Sequence, residues 1–201
     1  MELAAALLLA WQAVPAAAAA PAPAPANAPS ADRPLLDAFR TVCDKVESLA
    51  GMKAAALSAG WEEIGDDAEP RLARLIKFGK EATEADGTNS GFNFRRILEG
   101  RKLLLIASRY EDKSGFWGNG CRLYDFDAAE PVDSKVARDW MGRAPSGVQA
   151  LGPTIGDKML WEPGWRLGMT VEINHVPQTS ELKDRFGLTG NVLVAQAIGG
   201  F

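Results

Sequence analysis

Few residues of this chain have the types and spacing that catalysis requires. His175 is the single histidine, and no G-x-S-x-G nucleophile motif accompanies it. Asp125 and Asp127 lie two residues apart on a predicted strand, so their carboxylates would share one face and could act as an acid/base pair or bind a divalent cation. The same spacing is also common on a solvated strand that runs into a turn. We therefore predict no catalytic residue, no metal site and no cofactor.

Aromatic side chains at two predicted turns give the strongest indication of binding. Phe116 and Trp117 lie in the glycine-rich stretch GFWGNG (115–120), and Trp161 and Trp165 flank a second turn. A phosphate-binding glycine loop would run into a helix, whereas this stretch is predicted to run into a strand. Aromatic residues at turns either fold back over the core or form an exposed patch for a glycan, lipid or protein partner. The solvent accessibility of the indoles separates these two interpretations.

Cys43 and Cys121 are the two cysteines of the chain. No C-x-x-C motif is present, which weakens the interpretation as a reactive thiol or a metal site. In an oxidising compartment such a pair is more often bridged than free. Closing the loop between two cysteines 78 positions apart stabilises the fold by about 4 kcal/mol in the chain-entropy model. We predict a disulfide between them.

The N-terminal residues have the pattern of an exported protein. An apolar segment followed by small residues predicts a signal peptide over residues 1–20, and a Pro/Ala-rich linker over residues 21–33 follows it. The apolar segment is preceded by Glu2 rather than by a basic residue, so an unusual signal or a misassigned start codon stays open. The expected product is periplasmic or secreted, with a single α+β domain over residues 34–201 and no integral membrane segment in the mature chain.

Composition and charge fit a globular domain and argue against binding to nucleic acid. The chain has 201 residues, of which 47% are hydrophobic and 24% charged, and its formal net charge is −4. Arg95-Arg96 and Arg101-Lys102 are the longest basic clusters, too short to concentrate positive charge on a phosphate backbone. Nucleic acid is therefore not an expected partner.

Helices are predicted mainly before the sheet. A first helix is predicted with Asp32 as its N-cap and Pro34 in its first turn, and it carries Cys43 on its apolar stripe. An Ala-rich helix over residues 52–59 ends at Gly60. A third helix is expected after Glu69-Pro70, and Ser180 caps a short helix that ends at Gly187.

Strands are predicted as two three-stranded meanders with one helix between them, the helix being capped by Asp133. The expected strands cover residues 92–98, 102–110, 121–127, 158–162, 166–175 and 191–198. The continuous apolar run of the second strand is typical of a strand buried on both faces. The predicted fold class is α+β, with N-terminal helices packed on an antiparallel sheet of about five or six strands.

Besides its signal-like start, the chain has the helix FRTVCDKV with its cysteine, the pair Gly60-Trp61 after an Ala-rich helix, and the strand GNGCRLYDF with the second cysteine. Together these features resemble a group of small exported alphaproteobacterial proteins of sphingomonad-like composition. The resemblance spans residues 39–126. The group has no known function, so the resemblance implies no activity, cofactor or catalytic residue.

These observations predict a non-catalytic binding or interaction module of the periplasm or cell surface. Its expected partner is an envelope protein, a glycan or a lipid, bound by the turn aromatics. Two alternatives stay open: an envelope-polymer hydrolase that uses the carboxylate pair, and a purely structural envelope protein.

Overall fold

The computed structural model describes residues 31–152 and 155–200, so the predicted signal peptide and most of the linker lie outside the described residues. The helices are α1 (Asp32–Cys43), α2 (Leu49–Ser58), α3 (Pro70–Thr83), α4 (Ser134–Met141) and α5 (Glu181–Phe186). The strands are β1 (Glu62–Ile64), β2 (Gly87–Leu98), β3 (Arg101–Asp112), β4 (Trp117–Asp125), β5 (Gly147–Ala150), β6 (Asp157–Trp161), β7 (Met169–Val176) and β8 (Gly190–Gly199). The predicted α+β class is confirmed.

The strands form one antiparallel sheet in the order β1-β2-β3-β4-β8-β7-β6-β5. Its two halves are meanders, joined where β4 pairs with β8. Each meander has four strands, so the prediction of five or six strands in two three-stranded meanders was wrong in number. The missed strands are the two edges, β1 and β5, which have only three and four residues. Segments this short do not show the alternation from which a strand is recognised.

Local capping signals explain where several helices begin and end. Ser48, Asp133 and Ser180 each accept a backbone N–H with the side chain at the start of α2, α4 and α5. Gly187 ends α5 in the left-handed conformation, with φ of 71°. Asp32 was predicted as the cap of α1 but is its first residue, and its carboxylate accepts the backbone N–H of Asp133 instead.

Helices α1, α2 and α4 cover one face of the sheet and form the larger core with it. The predicted stripe of α1 is buried there, and the last residue of the helix, Cys43, is bonded to Cys121 of β4. Both cysteines are fully buried. The predicted disulfide is confirmed, and it fastens the helical layer to the middle of the sheet.

Helices α3 and α5 lie on the opposite face and cover only part of it. Leu72 of α3 packs on Leu104, Tyr124 and Phe126, while Phe78 meets Phe186 of α5 with ring centroids 4.8 Å apart. Neither these helices nor the others in the described part of the chain are long and apolar enough to cross a membrane. Residues of α3 and of strands β2, β3, β4 and β8 line a groove between helix and sheet.

Candidate functional site: a groove beneath helix α3

The floor of the groove is formed by a stretch of β4 that carries no side chains on this face. Gly118 pairs with Tyr110 of β3, and Gly120 pairs with Ser108. Both glycines were predicted to lie in a turn, and that prediction was wrong because β4 already begins at Trp117. Among the residues of GFWGNG only Gly115 has a positive φ, 90°, and it belongs to the turn. Gly118 and Gly120 instead leave a depression in the sheet.

Helix α3 forms the opposite wall of this depression. The groove has a volume of about 620 Å³, which is in the range of small-molecule sites. Leu75 and Ile76 line it from the helix, and Ile106 and Ile198 line it from the sheet. These four side chains give the walls an apolar strip, and polar side chains, among them Asn93, Gln196 and Arg122, share the lining.

Arg122 is the central polar group of the floor. Its guanidinium lies over Gly120, so closely that a Cβ atom at that glycine would be 2.4 Å from Nη1. Nη1 donates to the hydroxyl of Ser108 at 3.2 Å, and that hydroxyl in turn lies 3.4 Å from the carbonyl oxygen of Gly120. Within the described part of the chain, no carboxylate lies at ion-pair distance from Arg122. The guanidinium is thus positioned by a neutral hydroxyl and keeps several donors for another partner.

The other charges at the groove compensate each other. Lys80 lies 2.7 Å from the Oδ2 atom of Asp66, and the amide of Asn93 donates to Oδ1 of the same carboxylate at 2.7 Å. The hydrogen bond from Lys80, together with that from Asn93, holds the pKa of Asp66 below its usual value against a smaller opposing effect of desolvation. The positive charge that remains unbalanced in the groove is that of Arg122.

Tyr124 lies next to Arg122 on the same face of the sheet and lines the groove. Burial raises the pKa of its phenol, and the neighbouring Arg122 cation opposes this effect. The phenol therefore stays protonated at neutral pH and is available as a hydrogen-bond donor. Its ring stacks on Phe126 at a centroid distance of 5.2 Å.

The four aromatic residues that the sequence suggested for binding do not form one exposed patch. Trp161 is fully buried in the larger core, on the face of the sheet that α1, α2 and α4 cover. Its indole N–H donates to the carbonyl of Arg143 at 3.2 Å. Trp165 is half-buried and meets Trp140 edge to face at 5.6 Å.

The two aromatic residues near the β3–β4 turn are more accessible. Phe116 and Trp117 are both half-buried, and Trp117 packs on the larger core with the guanidinium of Arg109 at 4.8 Å from its ring. Trp117 lies on the face opposite the groove, since it alternates with Gly118 along β4. Binding through Phe116 and Trp117 stays a prediction.

The carboxylates of Asp125 and Asp127 do not face each other as a pair. Asp125 is buried and accepts from Nε of Arg101 at 2.7 Å, whereas Asp127 lies beyond the end of β4, is exposed and pairs with Arg71 at 2.9 Å. Each carboxylate is therefore engaged by its own arginine.

His175 is buried as well, and its Nδ1 lies 2.9 Å from the side-chain oxygen of Asn191. No cluster of three His, Cys, Asp or Glu residues with metal-binding geometry occurs in residues 31–152 and 155–200.

Sequence reasoning missed the groove and its arginine. The available signal was the spacing Gly118, Gly120, Arg122, which places two glycines and a cation on one face of a strand. The spacing indicates a shared face only if residues 118–120 are known to form a strand.

Comparisons of the chain with models of protein families, with curated proteins and with solved structures gave no match.

Proposed function

We propose that this protein is a non-catalytic binding module of the periplasm or cell surface, and that the groove beneath α3 holds its ligand. The observation that carries this proposal is the combination of a groove of about 620 Å³, with apolar side chains in its walls, and an unbalanced arginine on its floor. Sites for small molecules are typically apolar concavities with a few fixed polar groups.

The chemistry of the lining favours binding over catalysis. Among the described lining residues, one has a carboxylate, Asp66. Its two oxygens accept hydrogen bonds from Lys80 and Asn93. Five lining residues carry hydroxyls, but the described lining includes no histidine or second carboxylate that could activate them as nucleophiles; they are Thr83, Ser90, Ser108, Tyr110 and Tyr124. Arginine, amides and hydroxyls in this arrangement can orient a ligand without transforming it.

The disulfide supports a location outside the cytoplasm. Stable disulfides are rare where thiols are kept reduced, and Cys43–Cys121 is a bridge within the buried core. Together with the signal-like N-terminus this favours the periplasm or the cell surface, where a ligand would come from the envelope or the medium.

Filling the groove tests the proposal. Gly118 accepts a side chain without strain, because a Cβ atom there would have Ile198 Cγ2 as its nearest neighbour, at 3.8 Å. We expect Gly118→Leu to place its side chain in the groove and to abolish the fluorescence enhancement of Nile red, a neutral dye that emits strongly in apolar sites. The wild-type protein should enhance the emission in a saturable way.

Gly147→Leu is the matched control. Gly147 is also a strand glycine, its Cβ would contact only Leu160 at 4.0 Å, and it lies in edge strand β5 far from the groove. This variant should bind the dye as the wild type does, and urea unfolding should show that both variants are folded. Equal dye binding by Gly118→Leu and wild type would refute the groove as the ligand site.

A further inference from the structure

We infer that the ligand of the groove is an amphiphile with one apolar chain and a carboxylate head, and that Arg122 binds the head. This inference rests on the proposed function, because it names the chemical class of the ligand for the same groove. It is carried by the charge balance at the floor, the geometry of the guanidinium and the apolar walls.

The charge balance selects a singly charged anion. Lys80 is neutralised by Asp66 at 2.7 Å, so the described groove residues leave the charge of Arg122 without a counterion. A partly buried charge is costly unless it is paired, and a single carboxylate pairs it completely. A phosphate monoester would carry a second negative charge, for which these residues offer no free cation.

The geometry of the guanidinium suits the planar carboxylate. Arginine presents a flat fork of donors that matches the two oxygens of a carboxylate. Ser108 engages Nη1 and Gly120 lies directly beneath the guanidinium, so its orientation is set before a ligand arrives. A larger residue than glycine at position 120 would displace the fork.

The walls provide the surface for an apolar chain. Leu75 and Ile76 face the groove from α3, and Ile106 and Ile198 face it from the sheet. Ile198 is 56% exposed although it points into a concave site, so a bound chain would remove this apolar surface from water. An alkyl chain would cover these apolar side chains and remove them from water, whereas the hydroxyls of a glycan would do so less completely.

Calorimetry with dodecanoate, below its micelle concentration, tests the assignment directly. The wild-type protein should bind dodecanoate at one site and bind methyl dodecanoate, the neutral ester of the same chain, more weakly. Arg122→Gln should weaken dodecanoate binding roughly ten- to a hundredfold, the range expected for loss of a charge-assisted hydrogen-bonded pair, and should leave binding of the ester unchanged. Arg122→Lys keeps the charge but loses the fork and should fall between the two.

Arg74→Gln is the matched control for charge. Arg74 lies on the exposed side of α3, outside the groove. The variant therefore removes one positive charge from the protein without changing a residue that lines the groove. It should bind dodecanoate as the wild type does. Gly120→Val, which displaces the guanidinium but keeps its charge, should weaken dodecanoate binding in the same direction as Arg122→Gln. Circular dichroism and urea unfolding establish that each variant is folded.

The possible outcomes separate the inference from the proposed function. Equal dodecanoate binding by wild type and Arg122→Gln, or tighter binding of dodecyl phosphate than of dodecanoate, would overturn the carboxylate assignment. If the ester binds as tightly as dodecanoate and Gly118→Leu abolishes both, the groove remains the ligand site and only the inference fails. If neither Nile red nor any of these amphiphiles binds, the inference and the proposed function both fail.

Discussion

The stability of the fold depends strongly on the side chain of Trp161. It is fully buried, and its indole N–H is bonded to the carbonyl of Arg143. We expect Trp161→Ala to lower the free energy of unfolding by about 3–5 kcal/mol, because truncating a buried aromatic side chain loses transfer energy and leaves a cavity. Trp161→Phe should cost less, since most of the apolar contact remains while the hydrogen bond is lost. Urea denaturation measures both values.

Trp117 provides the comparison for this prediction. It is half-buried beside the guanidinium of Arg109, so Trp117→Ala should cost clearly less than Trp161→Ala. Equal losses for the two alanine variants would contradict the burial that distinguishes these tryptophans.

The stability of helix α4 depends on its N-terminal cap, Asp133. The carboxylate of Asp133 accepts the backbone N–H of Lys135 at 2.7 Å and that of Val136 at 3.0 Å. The bond from Val136, followed by that from Lys135, holds the pKa of Asp133 below its usual value of 3.8. A carboxyl whose folded pKa is depressed stabilises the fold above its unfolded pKa, and this contribution is lost as the pH falls through the folded pKa.

We therefore expect Asp133→Ala to lower the free energy of unfolding by about 1 kcal/mol at neutral pH, the usual cost of losing a cap. The difference from the wild type should shrink as the pH falls below 3.8, because the carboxyl of the unfolded chain then becomes protonated, and it should disappear once the pH has also passed the lower pKa of the folded cap. Urea unfolding at pH 7 and at about pH 3 measures the change. Asp133→Asn keeps an uncharged cap and should lose less at neutral pH, whereas an alanine variant with the same deficit at both pH values would contradict the electrostatic contribution.

At the scale of the whole molecule, the Cys43–Cys121 bridge connects the helical layer to the centre of the sheet. The two residues are 78 positions apart, and closing a loop of this length reduces the entropy of the unfolded chain by an amount worth about 4 kcal/mol. The doubly substituted Cys43→Ala/Cys121→Ala protein should therefore unfold roughly 10 °C below the wild type.

Thermal unfolding with and without a reductant provides the control for the disulfide. A reductant should lower the midpoint of the wild type after the bridge is reduced, and it should leave the double variant unchanged. Equal midpoints for the oxidised wild type and the double variant would show that the bridge contributes nothing to stability.

The amino-acid sequence by itself determined the features that depend on residues close together in the chain. It also determined the disulfide, for which the chain offers only two cysteines. The cap at Ser180 and the glycine at Gly187 predict α5 because both act within a single turn of helix. The pair Glu99-Gly100 predicts the β2–β3 hairpin because glycine readily adopts the positive φ that a two-residue turn needs, and Gly100 has a φ of 79°. The disulfide was predictable because the chain contains two cysteines.

Only the tertiary structure decided the features that depend on residues distant in the chain. The edge strands β1 and β5 exist because neighbouring strands offer them hydrogen-bonding partners, and neither carries a pattern of its own. Gly118 and Gly120 lie in a strand rather than a turn because β3 and β8 pair with them on both sides. The groove follows from this pairing and from the course of α3. Glycine permits turn and strand alike, and the long-range pairing of strands selects between them.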